Sequence, residues 1–110
     1  MPTPQDFFDI DIRVGTVLSA ERFDRAVKPA IRLEIDFGPE LGIKWSSAQL
    51  TVHYTPDLLV GRQVVAVTNI GTRNIAGFKS EVLVLGAMPG PTEVVLLRPD
   101  HPLANGVRIG

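Results

Sequence analysis

Ile31-Arg32-Leu33-Glu34-Ile35-Asp36-Phe37 decides the fold. Four apolar side chains alternate with three charged ones. That period of two belongs to a strand with one face on a core and the other in water. Arg32 and Glu34 then lie on the outer face. Gly38-Pro39-Glu40-Leu41-Gly42 reads as a turn, and Ile43-Lys44-Trp45-Ser46-Ser47-Ala48 as the next strand, antiparallel to the one before it.

Upstream, Arg13 to Phe23 reads as one long strand. Gly15 inside it predicts a bulge or bend, as when a single strand serves two sides of a small barrel. Asp24 to Pro29 is a turn carrying Arg25 and Lys28. Before all of this, Pro4 to Ile10 suits one helical turn with Pro4 near its start.

Downstream, Gln49 to Tyr54 reads as helix, because Leu50 and Tyr54 fall four apart. Thr55-Pro56-Asp57-Leu58-Leu59-Val60-Gly61 is a short capped helix, with Thr55 as N-cap, Pro56 first in the helix and Gly61 as its stop. Arg62 to Thr68 is a fourth strand, and Gly71 to Asn74 a turn. The stretch Ile75-Ala76-Gly77-Phe78-Lys79-Ser80-Glu81-Val82-Leu83-Val84-Leu85-Gly86 follows. Its unbroken apolar run, Val82 to Leu85, predicts a strand buried on both faces. Phe78, Lys79 and Ser80 precede it as a mixed aromatic, cationic and hydroxyl edge, read as one wall of a groove; an ordinary loop entering a strand is the simpler alternative. Met88 to Thr92 is a turn, Glu93 to Arg98 a last strand, and Pro99 to Gly110 a tail containing Asn105-Gly106.

Three strands, a helical segment and then more strands is the order of an all-β OB-fold, a five-stranded Greek-key barrel with short helices and terminal extensions. A small SH3-like barrel is the competing topology. At 110 residues, residues 1–110 form a single domain. Apolar residues make up 45% of the chain, enough for a core, though a small one that assembly would help.

Composition narrows the function. With no cysteine, disulfides, thiol catalysis and cysteine-based zinc sites are out, in keeping with a reducing compartment. Met1 to Asp6 has no basic n-region, and no apolar run is long enough to span a bilayer. The expectation is a cytoplasmic protein without membrane insertion. His53 and His101 stand alone, Ser46-Ser47 lacks the setting of a hydrolase nucleophile, and the glycines form no phosphate loop. No catalytic or metal constellation and no cofactor is therefore expected.

What remains is binding. OB barrels bind ligands across the face of strands two and three, rimmed by the loops. Arg25, Lys28, Arg32, Lys44, Trp45, Ser46, Gln49, Arg73, Phe78, Lys79 and Ser80 are the candidates on that face or rim. Aromatics beside cations suit stacked bases with phosphates. They also suit extended peptides with apolar side chains. Trp45 fits a half-buried core position equally well, and the lone cations fit a solvated face. A formal charge of −1 is far from the basic balance of a protein that holds nucleic acid by bulk electrostatics.

Asp11-Ile12-Arg13-Val14-Gly15-Thr16-Val17 and Tyr54-Thr55-Pro56-Asp57-Leu58-Leu59-Val60-Gly61-Arg62-Gln63-Val64 resemble two blocks of the EMAP-II-like tRNA-binding domains. Gly42 to Gln49, Ile75 to Gly86 and Val94 to Asp100 are similar to the CsaA-type, export-related chaperone branch of that family. The resemblance implies an OB-fold homodimer that binds unfolded or precursor polypeptides without ATP, with the translocation ATPase as a partner. The alternative is a module for tRNA or other structured RNA. It also implies a dimer built from the terminal extensions, which by position are Phe7, Phe8, Ile10, Pro99, Leu103 and Ile109. The Ser-x-Gly-Met element of the tRNA-binding members is matched here by Ser80-Glu81-Val82-Leu83, which keeps only the serine. Trp45 stands where other members of the chaperone branch carry a polar residue. These departures favour peptide over tRNA.

Overall fold

A computed structural model describes residues 1–24 and 28–110. The alternation noted above folds as expected. β2 (Ala30–Asp36) buries Ile31, Leu33 and Ile35 completely, with Phe37 just beyond it, while Arg32, Glu34 and Asp36 stay half-exposed. β1 (Ile12–Phe23) and β3 (Ile43–Ala48) flank it in antiparallel register. β4 (Gln63–Val67) returns to lie against the first part of β1, from Ile12↔Val67 to Thr16↔Gln63. β7 (Leu83–Val84) pairs with β4, giving a five-stranded sheet of order β3-β2-β1-β4-β7. The fourth strand beside the first is the Greek-key arrangement of an OB-fold.

One long strand does serve two sides of the barrel, but the device differs from expectation. The register slips between Val17 and Ser19, so the bulge is at Leu18, whose side chain turns outward. Gly15 pairs regularly with Val64. A β-carbon there would lie 2.6 Å from Ile35 Cγ2 and 2.8 Å from the Phe37 ring. The glycine permits a close approach to the core of β2 rather than a change of register.

Short helices fill the connections. α1 (Pro4–Phe8) carries a capping box between Thr3 and Asp6. α2 (Gly38–Leu41) replaces the turn expected there. α3 (Pro56–Leu59) starts after Thr55 and is followed by Gly61 at φ +85°. The helix expected over Gln49–Tyr54 is a single turn instead, closed by Tyr54 N–H donating to Leu50 O at 3.0 Å. Thr55 precedes Pro56 and is extended, which prevents the turn from running on into α3.

Two hairpins form where the sequence reads turns and loops, though the strand expected over Glu93–Arg98 is present within the second. β5 (Arg73–Ile75) and β6 (Phe78–Ser80) join through Ala76-Gly77, both at positive φ, as a two-residue primed turn requires. β8 (Gly86–Gly90) and β9 (Glu93–Leu96) form the second. The expected two-faced burial of Val82–Leu85 also gives way. Val82 and Val84 are buried, but Leu83 is 40% exposed. β7 is an edge strand covered on one side only, so the run alternates despite being apolar throughout.

The C-terminal segment is tied to β1. Val14 N–H donates to Val107 O, Gly106 N–H to Val14 O and Ile109 N–H to Ile12 O, at 2.7–2.9 Å. Gln63 mimics strand pairing with its side chain, donating to Leu103 O and accepting from Leu103 N–H. At the start of β1, the Asp11 carboxylate accepts from the Thr68 hydroxyl and from Arg13 Nε. Burial pushes this carboxyl up, but the Thr68 and Arg13 hydrogen bonds and the charges of Arg13 and Arg108 outweigh it and hold it below its ordinary 3.8.

A folded-state value below the unfolded one stabilises the fold above pH 3.8, and that contribution is lost as pH falls through the folded value. Urea melts across the acid range are expected to show Asp11→Asn with a flatter decline below about pH 4 than the wild type. At neutral pH the variant is expected to be less stable by about 1–2 kcal/mol.

Candidate functional site

The barrel closes where β3 meets the segment after β6. Glu81 N–H donates to Trp45 O at 2.8 Å. The other three bonds use side chains. Glu81 Oε1 accepts from Trp45 N–H at 3.1 Å, Ser80 Oγ accepts from Ser47 N–H at 3.1 Å, and Ser46 Oγ donates to Val82 O at 2.9 Å. Ser46 and Ser80 are buried, so these two members of the expected binding set are occupied in holding the seam.

Beyond the seam the edges of β3 and β7 separate. The gap is a cleft of about 570 Å³ lined by Ala30, Ala48, Ile75, Leu83, Val84, Leu85, Met88 and Val94, with Lys28, Ser47, Gln49 and Arg73 as its polar members. Leu83 and Met88 are 40% and 63% exposed, and neither Lys28 nor Arg73 makes an ion pair among the described residues. Size and lining suit an apolar ligand with a few polar contacts.

On the outer face of β2 and β3 lies a second concavity, lined by Glu21, Arg32, Trp45, Phe78, Lys79 and Glu81. Register explains it: Trp45 opposes Glu34 and Ser47 opposes Arg32, so all four share that face. The Arg32 guanidinium stands 5.1 Å from the Phe23 ring and 5.3 Å from the Phe78 ring, and pairs with Glu21. Phe78 meets Trp45 edge-on, with centroids 5.9 Å apart. Both rings are half-exposed. Phe23, missed in the sequence reading, belongs to this stack because the alternation of β1 brings it beside Arg32.

The expected binding set therefore divides. Arg32, Trp45, Phe78 and Lys79 gather on the outer face; Gln49 and Arg73 line the cleft; the two serines lie between. Lys44 joins neither, since it opposes Ile35 on the inward side of β3. Arg25 lies outside the described residues. The β5–β6 hairpin is a wall of both hollows, Arg73 and Ile75 facing the cleft and Phe78 and Lys79 the outer pocket. Leu83 and Met88 both read as core in the sequence; the edge position of β7 exposes Leu83, and the β8–β9 hairpin carries Met88 into solvent. No group of three or more His, Cys, Asp or Glu that could hold a metal occurs among the described residues. At the termini Phe7, Phe8, Ile10 and Leu103 are 40–55% exposed, while Pro99 and Ile109 are half-buried, Ile109 against Ile12, Val65 and Val67.

A family model described as "Putative tRNA binding domain" matches residues 12–108. The chain belongs to the tRNA-binding domain family, on its CsaA branch. Among solved structures, chaperone CsaA from Bacillus anthracis is 55% identical, with a TM-score of 0.96 over 100% of this chain and 99% of that one. CsaA chaperone protein from Picrophilus torridus is 44% identical, with a TM-score of 0.92 over the whole of both chains. Methionine–tRNA ligase of Porphyromonas gingivalis is 35% identical over 96% of this chain. That match spans only 15% of the ligase, so the family domain here corresponds to a small part of the curated relatives.

The seam makes a direct prediction for this family domain. Ser80→Ala leaves the half-buried Ser47 N–H without its acceptor and is expected to cost about 1 kcal/mol or more in a urea melt followed by Trp45 fluorescence. Arg73→Ala, on the exposed rim, is expected to stay within about 0.5 kcal/mol of the wild type.

Proposed function

We propose that this chain is an ATP-independent chaperone that holds extended apolar segments of unfolded or precursor polypeptides. The observation that carries this reading is the solvent-exposed apolar floor of the cleft, above all Leu83 and Met88. A lone small domain gains nothing in stability from leaving such side chains in water, whereas a segment laid across them buries apolar area on both partners. The 55% identity to a CsaA chaperone over the full length supports the same reading. On this view the protein works in the cytoplasm, ahead of export, and hands its clients to the translocation ATPase. It does so as a homodimer whose terminal residues Phe7, Phe8, Ile10, Pro99, Leu103 and Ile109 cover one another. Sedimentation is expected to give a dimer at micromolar concentration.

A second reading has its own observation. Arg32, packed beside the touching rings of Phe23 and Phe78 and near Trp45 and Lys79, offers a platform for a base and a cation for a phosphate. Membership of the tRNA-binding domain family favours it; the formal charge of −1 weighs against it.

The experiment is suppression of aggregation of a denatured client without nucleotide, with tRNA binding measured across a salt series alongside. The wild type is expected to suppress aggregation, and Leu83→Asp with Met88→Asp to raise the required concentration about tenfold or more, as loss of two buried apolar contacts implies. Equal performance by the wild type, the double variant and buffer would sink the chaperone reading. Tight tRNA binding that weakens steeply with salt, and that Arg32→Ala and Phe78→Ala abolish, would establish the RNA reading instead.

A further inference from the structure

The tail holds the chain's one Asn-Gly pair, Asn105-Gly106, a dipeptide with a chemistry of its own. Without a side chain on the following residue, its backbone nitrogen reaches the asparagine carboxamide more readily than at any other sequence. Here both reacting groups are engaged elsewhere. Gly106 N–H donates to Val14 O at 2.7 Å, and Asn105 Oδ1 accepts from the Thr16 hydroxyl at 2.6 Å. The Gly106 carbonyl accepts from Arg13 Nη1 at 3.0 Å. The fold also forbids removing the liability at Gly106. That residue sits at φ +94°, and a β-carbon on it would lie 2.5 Å from the Phe37 carbonyl oxygen.

We propose that Asn105-Gly106 is a latent deamidation site, kept unreactive by docking of the tail on β1, and that conversion to isoaspartate unlatches the tail for good. In the undocked tail the Gly106 nitrogen loses its proton to solvent and attacks Asn105 Cγ. The new C–N bond closes a succinimide as the Cγ–Nδ2 bond breaks, and ammonia leaves. Water then opens either imide carbonyl, giving aspartate or isoaspartate, so the net change is loss of ammonia and gain of water. The two products differ in what the fold accepts. Aspartate keeps the backbone length and still accepts from the Thr16 hydroxyl. Isoaspartate inserts a methylene into the main chain, so the bonds of Gly106 and Val107 to Val14 and of Ile109 to Ile12 cannot all re-form.

The test follows the mass change at residue 105 in the full chain, folded and in urea, in the same mildly alkaline buffer, with isoaspartate assayed separately. The folded chain is expected to react at least about tenfold more slowly than the unfolded one, because reaction waits on local opening. Thr16→Val, which releases the carboxamide, is expected to shrink that ratio about threefold or more. Aged protein carrying isoaspartate is expected to lose its C-terminal residues to protease quickly, whereas Asn105→Asp stays as resistant as the wild type. Equal rates folded and unfolded would overturn the proposal. So would an isoaspartate tail as resistant as that of Asn105→Asp, or no reaction in folded Thr16→Val after the unfolded chain has fully converted.

Discussion

The closure of the barrel rests on one hydrogen-bonded seam, Trp45-Ser46-Ser47 against Ser80-Glu81-Val82. Only one of its four bonds joins backbone to backbone. The other three borrow a hydroxyl or a carboxylate, since the two chain segments are too irregular to form a ladder. Each such bond contributes on the order of 1 kcal/mol net, but leaving a buried partner unmatched costs more than making the bond gains. The seam is thus intolerant of change at the two serines. Their polar character comes from packing, and it resembles a binding signature only when read along the chain.

Everything near the candidate site takes its place from that seam. Because the edges of β3 and β7 are joined at one end only, they part at the other and leave the cleft. Because Ser80 is fixed to β3, the β5–β6 hairpin stands upright beside it and divides the surface into two hollows of different chemistry. One has an apolar floor with cations at its rim that make no ion pair among the described residues. The other is an aromatic stack around a guanidinium, with carboxylates and a lysine close by. A single stretch, Ile75 to Leu85, thereby contributes to seam, cleft and stack in turn.

How much of this could be read from the residues follows from the range of the forces involved. β2 was legible because water and core impose opposite demands on successive side chains, and its sequence obeys them strictly. α3 was legible because Thr55, Pro56 and Gly61 act locally. Of the short hairpin strands only β9 was legible, from its apolar run; β5, β6 and β8 carry too few alternations to register. Gly15 suggested a bulge, yet its reason is a contact with Ile35 and Phe37 made across the sheet, which no local pattern records. Phe78 reads as a surface-edge residue and Trp45 as equally core or surface, and both are half-exposed; Lys44 reads with them, although parity along β3 sends it inward. Leu83 reads as core because it stands in an unbroken apolar run, Val82 to Leu85, that predicts burial on both faces. Its exposure depends on β7 being the last strand of the sheet, a property of topology.

The docked tail carries one more implication. Ile12 to Val14 bond to β4 on one side and to residues 106–109 on the other, so the chain's own terminus covers a stretch of strand that would otherwise be bare. A protein cut short before that point would present a ready template for pairing with any passing strand, and natural sheets guard such edges against self-association. The last residues thus act as a built-in shield against fibril-like stacking of one molecule on the next.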